Sequence, residues 1–121
     1  MGERVLNIRL TPASRNNGVA SVSKRHVVRR LPTFEGGHRS AVLIARDAHQ
    51  EGVEHRFCLR KRANEAQPKE TLTGMKEFFD QHELQAGDQI MIDLLREEVK
   101  LFGRVIRSAL YQIDFRRRPI A

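Results

Sequence analysis

The chain has one cysteine and no tryptophan. A single thiol excludes an internal disulfide and any metal site built from several cysteines, so a reducing compartment is expected. Cys58 lies in an alternating apolar stretch, where a buried, inert thiol is the expected state. No run approaches the roughly 20 apolar residues of a membrane span, and nothing has the build of a signal peptide, so no membrane partner is expected. Catalytic patterns are missing too. GxSxG, GxGxxG, a P-loop and HExxH are all absent, and His26, His38, His49, His55 and His82 show no paired ligand spacing. The acidic residues of the middle do not form the Asp/Glu…Glu-x-Lys pattern of a magnesium-dependent nuclease. No metal, no cofactor and no catalysis by this chain alone are therefore expected. Asp47, His49 and His55 fall near one turn, where they are expected to be solvated.

What the chain does have is positive charge, unevenly spread. Its 121 residues suit a single domain, 1–121, with one modest core. The net charge is +7, from 22 basic and 15 acidic side chains. Residues 1–46 carry nine basic and two acidic residues, 47–98 seven and twelve, and 99–121 six and one. Such segregation predicts one positive face assembled from both ends of the sequence and turned toward a polyanion. Only five of the 22 are lysines. Arginine's planar fork suits phosphates and guanine edges, so the bias favours nucleic acid.

Periodicity supplies the elements. Val5–Leu10 reads as a strand with Leu6, Ile8 and Leu10 on one face, broken by Thr11-Pro12. Ser14–Gly18 reads as a loop, Val19–Val22 as a short strand, and Lys24–Arg30 as a brief helix capped by Ser23. Ser40–Arg46 is apolar and β-branched enough for a central strand, and Glu54–Arg60 returns from it. Arg60–Lys69 is a polar, mostly basic connection. Thr73 is placed to cap a nine-residue helix whose Met75, Phe78 and Phe79 share a buried face. A turn at Gly87-Asp88 follows, then a strand alternating Ile90, Ile92 and Leu94 with Gln89, Met91 and Asp93. Val99–Ile106 reads as one strand bulged at Gly103, Leu110–Phe115 as an edge strand, and Arg116–Arg118 as an exposed tail. The count gives a mainly β fold, a seven-stranded open pseudobarrel with two short helices.

Two blocks then resemble the B3 domain, the pseudobarrel of plant transcription factors and of restriction-endonuclease recognition or effector domains. Residues 9–32, RLTPASRNNGVASVSKRHVVRRLP, are similar to its strand ending in Thr-Pro-Ser, polar loop, short strand and basic helix. Residues 57–93 resemble its strand, Asn-bearing loop, Leu-Thr-x-Gly, Phe and Leu-x-x-Gly-Asp run. Met75 stands where the plant domains usually have Trp, and Ser23 where they usually have Pro. These departures favour the restriction-endonuclease branch, with the chain as one part of a larger enzyme and a catalytic nuclease domain as a partner. A prokaryotic cytoplasm is then expected, or a nucleus if the chain is eukaryotic.

The resemblance implies a two-armed grip on the major groove of double-stranded DNA. One arm maps onto Arg9, Thr11, Ser14, Arg15, Asn16 and Asn17. The other maps onto Arg60, Lys61, Arg62, Asn64, Glu65, Gln67 and Lys69. Independently of the family, Arg forks onto guanine, Asn and Gln onto adenine, and Glu accepts from cytosine. Lys24, Arg25, Arg29 and Arg30 suit phosphates. The alternatives are a B3-type transcription regulator, or an RNA or single-strand binding barrel, which calls for exposed aromatics to stack bases. A protein–protein module using the acidic middle is a further reading.

Overall fold

The computed structural model of the protein describes residues 3–22, 40–61 and 70–119. Among these, strands β1 (Glu3–Arg9), β2 (Ala20–Val22), β3 (Ser40–Asp47), β4 (Glu54–Lys61), β5 (Glu70–Thr73), β6 (Gln89–Arg96) and β9 (Leu110–Arg116) form one sheet. Its order is β1-β6-β9-β3-β4-β5-β2, curled into a half-barrel that matches the B3 pseudobarrel. All neighbours are antiparallel except β3 and β9, which pair in parallel, Ile44 with Leu110 through Asp47 with Ile113. β9 is thus an interior strand, not the edge strand its alternation suggests. A period-two pattern reports which face is buried but not which strands lie alongside.

Alternation holds where it was read. Leu6 and Ile8 of β1, Leu43 and Ala45 of β3, Phe57 and Leu59 of β4, and Tyr111 and Ile113 of β9 fill the interior. Cys58 points the other way on β4 and is half-buried. In β6 Ile90, Ile92 and Leu94 are buried as expected, and Met91 is buried as well, between strands on both sides. Helix α2 (Lys76–Gln81) plugs the curl with Phe78 and Phe79, each fully buried and each contributing about 2 kcal/mol of burial. It has six residues, not nine, because Glu83 takes a left-handed φ of 52°. Thr73 does not cap it. β5 runs on through Thr73, whose hydroxyl donates to the Cys58 carbonyl, and Met75 occupies the cap position without a side-chain bond.

Two further segments fold differently from their sequence reading. Residues 14–18, read as a loop, are part of helix α1 (Pro12–Asn17) and its C-terminal cap. Thr11 caps it by accepting from Ser14 N–H, Pro12 opens its first turn, and Gly18 closes it at φ 67°. Residues 99–106, read as one bulged strand, belong to a hairpin of β7 (Val99–Leu101) and β8 (Arg104–Arg107), a sheet of its own turning at Phe102-Gly103. The basic helix expected at Lys24–Arg30, with its Ser23 cap, lies outside the described residues.

Candidate nucleic-acid interface

Strand direction divides the sheet into two ends. The register sets Val22 opposite Glu70, Glu70 opposite Lys61, and Arg60 opposite Ser40. Three segments therefore start or finish at one end: residues 23–39 run from Val22 to Ser40, 62–69 from Lys61 to Glu70, and 97–109 from Arg96 to Leu110. The β7–β8 hairpin belongs to the last of these. At the opposite end lie α1, α2, the 48–53 turn, the Gly87-Asp88 turn and the chain after Arg116. We refer to these as the loop end and the helix end.

Charge follows this division. At the loop end, residues 23–39 hold five basic and one acidic residue, 60–70 four and two, and 96–109 four and two. At the helix end, residues 9–19 hold two basic and no acidic residues, 46–54 one and three, 74–89 one and four, and 114–119 three and one. In sequence, the three segments that begin and end at the loop end are strongly basic, and those of the helix end are close to neutral. Two of these three basic segments, 23–39 and 96–109, come from the basic end regions of the sequence, and the third, 60–70, from its acidic middle. Arg116–Arg118 fall among carboxylates at the helix end.

The helix end uses its charges internally. Arg15 donates from Nε to the Leu84 carbonyl, pairs with Asp80 at 2.9 Å and lies 6.0 Å from the Phe79 ring, bracing α1 against the α2 region. Gly18 completes that brace, since its carbonyl accepts from Met75 N–H and an added Cβ would meet Lys76 at 2.7 Å. Arg117 donates to the His82 and Glu83 carbonyls, and its guanidinium covers Phe115. Asp88, buried, accepts from Gln85 N–H and Arg118 N–H, both at 2.7 Å. So the segment read as an exposed tail is tied down, and the Leu-x-x-Gly-Asp signature is a hydrogen-bonded corner.

The turn read as solvated holds a buried polar cluster. Asp47 Oδ2 accepts from His55 Nε2 at 2.9 Å and His82 Nε2 at 2.7 Å, and Oδ1 accepts from His49 N–H at 2.8 Å. Asp47 continues the inward phase of Leu43 and Ala45, His55 that of Phe57 and Leu59, and His82 lies one helical turn past Phe78. Each polar residue thus occupies an apolar position of its element, the one sequence signal that points to it. Burial is the largest influence on the Asp47 carboxyl and pushes it up. The hydrogen bonds from His55, His82 and His49 N–H together overcome this and hold it below the usual carboxylate range. His49 also bonds Asp114 and packs on Phe115. The cluster ties β3, β4, α2 and β9 together.

The expected site residues divide accordingly. Arg9, Asn16 and Asn17 are exposed at the helix end, Thr11 and Ser14 use their hydroxyls in the α1 cap, and Arg15 is the brace. Arg60 is exposed at the loop end, with Lys61 next to it in β4. Lys24, Arg25, Arg62, Asn64, Glu65, Gln67 and Lys69 lie outside the described residues, as do Arg29 and Arg30. Of the first arm the described residues lie at the helix end, and of the second only Arg60 and Lys61, at the loop end, are among the described residues. β5 separates α1 from residues 60–61 by roughly 10 Å, at about 3.3 Å per residue. What joins Arg60 and Lys61 is the departure point of residues 23–39.

No protein-family model matches the chain, and no curated protein matches it. Solved structures do. The Arabidopsis FUS3–DNA complex superposes with a TM-score of 0.72 over 97% of this chain and 100% of that one, at 19% identity. The Arabidopsis thaliana transcription factor LEC2–DNA complex gives 0.67 over 95% and 94%, at 16% identity. Neither is a restriction endonuclease, so the branch favoured by Met75 and Ser23 gains no support.

Proposed function

We propose that the chain binds double-stranded DNA in a sequence-specific manner through its loop end, as a B3-type transcription regulator and not as part of a nuclease. The observation that carries this reading is that two basic segments, the arginine-rich 23–39 and the amide-bearing 62–69, begin and end at neighbouring strand ends, Val22, Ser40, Lys61 and Glu70. That end carries the excess positive charge, on a fold shared with two proteins solved bound to DNA. Arg60, Arg62, Asn64, Glu65 and Gln67 are the base-reading candidates, since forked donors and amides discriminate base edges. Lys24, Arg25, Lys61 and Lys69 serve the phosphates. Arg9, Asn16 and Asn17 at the helix end are flanking contacts at most, and Thr11, Ser14 and Arg15 support the scaffold.

Selection from a randomised duplex library at two salt concentrations tests the reading. A single enriched motif is expected. Binding should weaken steeply with salt, with a log–log slope near −5 if about six phosphates are neutralised. Absence of any enriched motif overturns sequence-specific binding. Preference for single strands or RNA in competition would replace it with the barrel-surface alternative.

A further inference from the structure

The β7–β8 hairpin is not needed by the core. It pairs only with itself in the described residues, and Leu101, Phe102 and Ile106 are exposed. Phe102 is 95% exposed and adopts φ 52°, with Gly103 following at φ 78°. Two successive positive φ angles in a two-residue hairpin loop are the geometry for which Asn-Gly is the favoured pair. A bulky side chain in that first position is strained, and here the strain brings no packing in return. A large aromatic held outward on a tight turn, against its own backbone preference, has the character of a contact residue. Around it stand Lys100, Arg104 and Arg107, with no acidic residue from 99 to 109. Lys100 reaches Glu98 at 3.7 Å, whereas Arg104 and Arg107 make no ion pair among the described residues.

The hairpin also leaves the sheet at the loop end, between Arg96 and Leu110, with Leu110 opposite Ile44 of β3. We propose that it is a third arm on the same DNA duplex, resting on the reading above. Arg104 and Arg107 take backbone phosphates next to the bases read by the other two segments, and Phe102 enters the adjoining minor groove as an apolar wedge. Apolar side chains that enter this groove lean on sugars and base steps and bend the duplex, while neighbouring arginines hold the phosphates. An acidic protein partner would meet the same charges, but it would not explain why the hairpin shares its end with the other basic segments.

The test compares the full chain with Phe102→Asn and with Arg104→Ala/Arg107→Ala on a 30-bp duplex carrying the motif selected by the full chain. A generic 30-bp duplex at low salt serves as a second probe. Phe102→Asn suits the turn better than phenylalanine, so an unchanged or raised melting temperature separates contact loss from misfolding. The expected results are roughly five- to tenfold weaker binding for Phe102→Asn, and a salt slope shallower by about 2 for the double variant. If the full chain binds and neither variant changes affinity or slope, the third arm is wrong and the two-segment grip stands. Capture of an acidic protein by the hairpin would then identify its use. If the full chain binds neither duplex, the DNA reading and the third arm fall together.

Discussion

The two ends of the half-barrel carry similar residues to opposite purposes. At the helix end, Arg15, Arg117, Asp47 and Asp88 are bound within the chain to carbonyls, backbone amides, histidines and Asp80. At the loop end, Arg60, Arg104 and Arg107 stand exposed, and basic residues outnumber acidic ones in each of the three segments gathered there. An arginine whose donors are already satisfied has little left for a ligand, because rebinding elsewhere first breaks what it holds. An arginine held in water at a positive end has donors to offer, and each phosphate it neutralises releases counterions from the nucleic acid. Position along the sequence does not distinguish these two kinds. Position relative to the strand ends does.

Substitutions at four positions sharpen that contrast. Asp47→Ala strands His55, His82 and the His49 N–H at the helix end and should cost about 3–5 kcal/mol of stability, measured by urea unfolding, with base preference unchanged where the variant folds. Acid titration reads the same group. The folded carboxyl lies below its ordinary value, so its contribution is complete above the ordinary pKa of about 4 and disappears as pH falls through the folded value. Asp47→Asn should flatten that part of the stability–pH curve. Arg62→Ala or Arg60→Ala should cost about 1–3 kcal/mol in binding and relax preference at one base pair, seen in competition among single-base variants of the selected duplex, with little change in unfolding. Arg15→Ala should do the reverse, losing about 1 kcal/mol of stability while base preference holds. A relaxed preference in Arg15→Ala would erase the division between the ends.

Much of the scaffold was legible in the sequence. Phe78 and Phe79 at helical spacing, the alternation of Ile90 and Ile92, and the Gly87-Asp88 turn were all visible because local backbone geometry sets each of them. The α1 signature, Thr11 before, Pro12 at its start and Gly18 after, was also present, but the six residues Pro-Ala-Ser-Arg-Asn-Asn have too little apolar period to show a helix. The hairpin was hidden because Phe102-Gly103 is a poor chemical signal for its turn. The Asp47 cluster draws on residues 47, 49, 55 and 82, and only the folded register brings them together. The site was half legible: composition identified the basic segments, but which of them share an end depends on strand order, to which a period of two is blind.

That strand order also has a consequence for how the protein is made. β9 follows every other strand in sequence, yet it lies in the middle of the sheet, joining β6 to β3. Until it docks, β1–β6 and β3–β4–β5–β2 are separate pieces with open edges, and neither contains Tyr111 or Ile113 at its centre. Contacts spanning so much of the chain form slowly, and exposed edges invite pairing with other chains in the meantime. On a ribosome the sheet therefore cannot close until residues 110–116 have left the exit tunnel.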